Sequence, residues 1–172
     1  ARIQSMVRKG EAQREPIQIN QAVQVVIGLL QGELEAHSIY LELALAPDLS
    51  AIVANQVDIQ QVVMNLMLNA IRAVEGLPKA QRRIRIETTQ RDRTVKLVVE
   101  DSGSGITDDV AVQMFQPFFT TKPAGEGTGL GLSISYDIVK AHGGEMLIDS
   151  REKDGTTVRV VLPLEAKGKG IS

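Results

Sequence analysis

A chain of 172 residues with 43% apolar side chains is long enough for one well-cored domain and too short for two. Its 19 Lys and Arg against 21 Asp and Glu leave a formal charge of −2, which excludes the broad basic face of a nucleic-acid binder. With no cysteine there is no disulfide framework, thiolate metal site or sulfur nucleophile, and the longest apolar run, near Val25 to Leu30, is far too short to span a membrane.

The chain opens on Ala-Arg-Ile without an initiator methionine, as expected of a fragment or a processed product. After a polar start, Pro16 to Ile19 reads as a short extended piece, and Asn20 is placed to cap a helix whose apolar face is Val23, Val26, Ile27, Leu30 and Leu34. Ser38 to Leu45 alternates Ile39, Leu41, Leu43 and Leu45 with other residues, the period of a half-buried strand, and stops at Pro47-Asp48. A second helix is expected from about Gln56 to Glu75, with Ile59, Val62, Val63, Leu66, Ala70, Ala73 and Val74 facing the core. Arg83 to Thr89 and Thr94 to Asp101 form a strand pair turning at Arg91-Asp92-Arg93. The basic cluster Arg82 to Arg85 reads as solvated surface, as does the tail Lys167 to Gly170.

A short helix is expected around Asp108 to Met114, then an irregular segment from Gln116 to Thr128 whose length points to a functional loop. A third long helix runs to His142 and ends at Gly143-Gly144; the strands Glu145 to Ser150 and Thr156 to Leu162 follow, joined at Lys153-Asp154-Gly155. The order argues one mixed sheet with helices on one face.

Four stretches carry chemistry. On the second helix Gln61, Asn65, Asn69 and Arg72 share one stripe, and asparagines four apart are poor helix formers that need a reason. Amide oxygens suit magnesium, which takes one or two protein ligands and completes its shell with phosphate and water; a merely solvated face is the alternative. Asp101 ends a buried strand and runs straight into Ser102-Gly103-Ser104-Gly105, so an acceptor-only carboxylate stands beside bare backbone. That arrangement suits the exocyclic amine of a flat ring such as adenine, or is simply a turn. Phe115, Phe118 and Phe119 are the only phenylalanines and bracket the loop FQPFFTTK, either a lid bearing Thr121 and Lys122 or a small satellite core. Last, GEGTGLGLS from Gly125 to Ser133 is neither a Walker loop nor a dinucleotide turn; Gly129 and Gly131 stand at a helix start, where free N–H groups receive anions. His142 stands in the last helical turn before Gly143-Gly144 and His37 just before a strand, so both read as structural, and no Ser-His-Asp arrangement can be argued.

Taken in order, NLMLNA, DSGSG, FQPFFTTK and GTGLGLS resemble the N, G1, F and G2 boxes of the catalytic and ATP-binding domain of bacterial sensor histidine kinases, in the GHKL ATPase superfamily. EPIQIN, Asp58, HGGEM and DGTTVRVVLP match as well, so the likeness covers nearly everything beyond residue 15. It implies the two-layer α/β sandwich called the Bergerat fold, a mixed, mostly antiparallel sheet of about five strands backed by three helices. Residues 1–15 would be the tail of a preceding helical hairpin or linker, 16–165 the catalytic domain and 166–172 a flexible tail.

The resemblance also assigns roles. ATP and magnesium are the implied ligands, with Asn69 on the metal and Asn65, Asn69 and Lys122 catalytic. Asn65, Asn69, Arg72, Ala73, Asp101, Gly103, Gly105, Ile106, Phe115, Thr121, Lys122, Gly127, Thr128, Gly129, Leu130, Gly131, Leu132 and Thr157 would line the nucleotide. Asp101 would hold the adenine amine, Asn65 and Arg72 the phosphates, and Thr157 would lie near the adenine end. Hydrolytic members and serine kinases of the superfamily carry a glutamate where this chain has Asn65, and an amide cannot take a proton. The implied activity is delivery of the γ-phosphoryl to a histidine on a dimerisation hairpin of the same kinase, for onward transfer to a response regulator. The implied setting is cytoplasmic, without nucleic-acid or membrane contact by this segment, the isolated domain being monomeric and unable to phosphorylate itself. An anti-sigma-type serine kinase, a small ATPase, or a module that only senses nucleotide are the alternatives.

Overall fold

The structure, a computed structural model, describes residues 14–103, 131–151 and 155–164. Its elements in chain order are β1 (Glu15–Ile17), α1 (Ile19–Ala36), β2 (Tyr40–Leu45), β3 (Ile52–Ala54), α2 (Gln56–Val74), a 3-10 turn (Lys79–Gln81), β4 (Arg83–Arg91), β5 (Thr94–Asp101), α3 (Gly131–Ala141), β6 (Glu145–Arg151) and β7 (Gly155–Pro163). The apolar spacing explains the helices. α1 buries Ala22, Val23, Val26, Leu30 and Leu34, and α2 buries Ile59, Val62, Val63, Leu66, Met67, Ala70, Ile71 and Val74.

Five strands form one mixed sheet in the order β2-β4-β5-β7-β6. Among the described residues only its β2–β4 pair is parallel. A parallel pair needs a crossover, and the chain between β2 and β4 supplies it with α2. Alternation then sorts the faces: Ile84, Ile86, Val95, Leu97, Val99, Val158, Val160 and Leu162 join the helices in one core. Glu42, Arg85 and Glu87 lie on the other face, where Arg85 bonds Glu42 at 3.1 Å and Glu87 at 3.3 Å. The architecture is the two-layer α/β sandwich, with three helices packed on a mixed five-strand sheet.

A second, two-stranded sheet pairs β1 with β3 antiparallel, from Glu15↔Ala54 to Ile17↔Ile52. Pairing therefore begins at Glu15, and Arg14 donates from Nη2 to the Ala141 carbonyl at the end of α3, 2.7 Å away.

Three local expectations need correcting. Asn20 is not the cap of α1, which starts one residue earlier with Gln18 at its cap position. Its amide instead donates to the Ala46 carbonyl at 2.6 Å and accepts from the Thr88 hydroxyl at 2.8 Å, fastening helix to sheet. The second strand starts at Tyr40 because Ser38 takes a left-handed conformation with φ 53° after the helix end. Arg82 is not solvated decoration: half-buried, it donates to the carbonyls of Leu77, His37 and Glu75 at 2.8, 2.7 and 2.7 Å. A guanidinium there satisfies orphan carbonyls at the ends of α1 and α2, where the helix dipoles favour a cation.

The remaining turns follow their chemistry. Asp92 takes the positive φ of the β4–β5 hairpin, 55°, and Gly155 carries φ +93° where β7 begins. No helix among the described residues is long and apolar enough to cross a membrane.

Candidate functional site

The site grows from the end of β5. The strand buries Val95, Leu97, Val98 and Val99, and this drives Asp101 to 9% exposure at the sheet end. Its Oδ1 accepts the Gly103 N–H at 2.8 Å. Burial pushes the carboxyl up to about 6; the N–H groups of Gly103 and Thr156 pull the other way, and neighbouring Glu100 adds a small upward push. Among the described residues, the backbone N–H groups of Gly103 and Thr156 are what offsets the desolvation of this carboxylate.

Glycines shape the space around it. A Cβ on Gly103 would lie 2.8 Å from the Ala73 carbonyl, 2.9 Å from Ala73 Cβ and 2.9 Å from Asp101 Oδ1. Absence of that atom lets β5's end close onto the last turn of α2. Gly155 has the same role on the other side, where a Cβ would run into the Asp101 carbonyl oxygen.

From Ala73 the stripe on α2 runs back through Asn69 to Asn65, with half-buried Arg72 beside them. Eight residues of helix separate Ala73 from Asn65, about 12 Å at 1.5 Å per residue. At Asn65 the stripe borders α3, while Gln61 is exposed. Asn65 donates from Nδ2 to Ser135 Oγ on α3 at 3.1 Å and accepts at Oδ1 from Gln61 Nε2 at 3.0 Å. Ser135 is 0% exposed.

α3 runs from Gly131, and Ser135 in its first half meets Asn65 near the middle of α2. Its other end is pinned by His142, whose Nε2 accepts the Asn55 N–H at 3.2 Å while Nδ1 lies 2.8 Å from the Ile138 carbonyl. This pairing makes Nδ1 the protonated nitrogen and His142 a neutral splint between the helices, in keeping with a structural role.

Some expected positions fall elsewhere. Thr157 does not share Asp101's side of the sheet: register sets it opposite Glu100, and its hydroxyl lies 3.4 Å from Glu100 Oε2 on the outer face. Thr156, paired with Asp101, is the threonine at this corner. Leu132, at 6% exposure, belongs to the hydrophobic core, so its side chain is spent on packing. Gly105, Ile106, Phe115, Thr121, Lys122, Gly127, Thr128, Gly129 and Leu130 lie outside the described residues, as do the short helix and the loop expected between Asp108 and Thr128. Ser135 and Thr156 are not evident from sequence. Ser135 carries no signal beyond a helical position, whereas Thr156 is one strand register away from the expected residue.

Residues 54–166 match the family described as histidine kinase-, DNA gyrase B-, and HSP90-like ATPase. The chain belongs to this family. The stretch takes in α2, β4, β5, α3 and β7, all the elements that meet around Asp101 and Asn65 in this ATPase domain.

Among curated relatives, the domain is 35% identical to the sensor protein FixL of Bradyrhizobium diazoefficiens, over 94% of this chain and 32% of that protein. It is 39% identical to the two-component sensor PprA of Pseudomonas aeruginosa, over 92% of this chain and 18% of that one. The chain thus spans less than a third of the length of these relatives. Of solved structures, the nucleotide-free catalytic domain of the histidine kinase ThkA aligns with a TM-score of 0.79 at 29% identity, covering 90% of this chain and 98% of that one. The chain is accordingly an ATP-binding catalytic domain of the sensor histidine kinase type.

Proposed function

We propose that this domain binds Mg-ATP along α2 and presents the γ-phosphoryl to a histidine on a dimerisation hairpin outside these residues, which then serves a response regulator. The observation that carries the reading is the line from Asp101 through Gly103 and Ala73 to Asn69, Asn65 and the opening of α3. It has an amine acceptor at one end and, about 12 Å along the helix, the amide of Asn65 against the first half of α3 at the other, the span of an extended nucleoside triphosphate. The names two-component sensor PprA and histidine kinase ThkA support a two-component kinase with a histidine acceptor.

Each residue has a task in this reading. Asp101 accepts from the adenine amine, and the bare backbone at Gly103 admits the ring plane. Thr156 stands beside Asp101 at the adenine end, and Arg72 and Asn65 hold phosphate oxygens. Asn69, between Asn65 and Ala73, offers one hard amide oxygen to magnesium; among the described residues no cluster of three carboxylates or histidines competes for the ion. Held there by Asn69, magnesium would supply neutralisation of phosphate charge. The bond between the γ-phosphorus and the bridging oxygen breaks, ADP leaves with that oxygen, and the incoming imidazole nitrogen takes the phosphorus. The domain contributes orientation and field, since an amide at position 65 cannot remove a proton from water.

Calorimetry tests the site. One ATP site requiring magnesium is expected, with Asn69→Ala removing most of the metal dependence while ADP alone binds much as before. Undiminished magnesium dependence in Asn69→Ala would count against the assignment.

A further inference from the structure

We infer that Ser135 is a positioning residue for the nucleotide site, acting through Asn65. The inference rests on the proposed contact of Asn65 with the phosphates.

A hydroxyl at a position with 0% exposure is a choice that packing does not require. Alanine is a better helix former and would leave no buried polar atom to satisfy. The hydroxyl of Ser135 has a partner across the helix seam, the Asn65 Nδ2 at 3.1 Å, from a residue 70 positions away in sequence. One turn back on α2, Gln61 donates to the other end of the same carboxamide at 3.0 Å. With both its nitrogen and its oxygen engaged, the amide of Asn65 loses the freedom to rotate about its terminal bond, which is otherwise broad. Ser135 also stands one turn after Gly131, where α3 opens. The bond therefore ties the orientation of Asn65 to the first half of α3, so the phosphate contact proposed for Asn65 depends on how α3 docks against α2. Holding a group in its working geometry before the ligand arrives removes an ordering cost from binding.

The experiment is a double-mutant cycle read by Mg-ATP titration on the chain as it stands. Ser135→Ala is expected to weaken Mg-ATP about three- to tenfold, the effect of one hydrogen bond. Asn65→Ala weakens it at least as much, and adding Ser135→Ala to Asn65→Ala changes nothing further. Ser135→Cys, similar in size but a poor acceptor, falls between wild type and Ser135→Ala. A purely structural serine would instead weaken binding equally in both backgrounds, and that result overturns the inference. Wild-type affinity in Ser135→Ala, with a weakened Asn65→Ala, also overturns it while leaving the reading of Asn65 intact. Wild-type affinity in Asn65→Ala overturns both. Nuclear magnetic resonance gives an independent reading that survives an unstable variant. The side-chain amide protons of Asn65 in the wild-type chain are expected to exchange slowly with water, and rapid exchange there refutes the bond to Ser135.

Discussion

Replacing Asp101 by asparagine is expected to make the unliganded domain more stable at pH 8 while making it a poorer ATP binder. The carboxyl is raised from an ordinary value of 3.8 to about 6, because burial penalises its charge more than the Gly103 and Thr156 N–H groups compensate. A rise of that size corresponds to about 3 kcal/mol of differential interaction between the charged and neutral forms. Since the folded state holds the proton more tightly, the whole penalty is present above pH 6 and fades as pH falls toward 4. Asparagine keeps an acceptor for Gly103 but carries no charge. After about 1 kcal/mol for a backbone N–H left with a poorer partner, a net gain of about 1–2 kcal/mol remains at pH 8, or a few degrees in Tm. Below pH 5 the gain should vanish. Urea unfolding of both proteins between pH 4 and 8 measures the difference directly, and subtracting the two curves cancels the titrating groups that do not interact with Asp101. The same assignment requires ATP to favour the ionised carboxylate, so at pH 6 binding should release about half a proton, seen as a buffer-dependent enthalpy. A less stable Asp101→Asn at pH 8, or no proton release at pH 6, would refute the reasoning.

Gly103→Ala forces a methyl against the Ala73 backbone and Asp101, and should reduce stability by about 1–3 kcal/mol and ATP affinity with it; unchanged titration would show that β5's end does not close onto α2. Arg82→Met removes three carbonyl contacts at two helix ends and is expected to destabilise the fold by about 2 kcal/mol or more in urea, without altering ATP affinity of the folded protein. His142→Phe leaves the Asn55 N–H without its acceptor, and should lower stability by about 1–3 kcal/mol in the same assay.

What could be read from sequence was whatever repeats. α1 and α2 show their buried faces at every third or fourth residue, and the alternation of β4 and β5 marks both strands, although their turn is one residue shorter than expected because Arg91 pairs with Thr94. Residue types with few uses also stand out in the sequence: Asp101 beside two glycines, and paired asparagines on a helix, are the positions on which the proposed nucleotide site is built. Several of the misses share one physical origin, a partner distant in sequence. β3 has three residues and is a strand only because β1 lies beside it. Asn20 had a plausible local cap but bonds to Ala46 and Thr88 instead. Arg82 reads as surface until two helix ends converge on it, and Ser135 as an ordinary helical position until α3 docks against α2. Thr157 and Thr156 differ by one residue, which in a strand is the whole difference between the two faces of the sheet.

The central claim is that this domain gives its phosphoryl group to a histidine carried elsewhere. Incubating it with γ-labelled ATP, magnesium and a separately prepared dimeric hairpin bearing the acceptor histidine tests that directly. Label on the hairpin that is lost in acid, kept in alkali, and absent with Asp101→Asn or Asn69→Ala is the predicted result; acid-stable label on serine, or phosphate released to water with none on the hairpin, would contradict it.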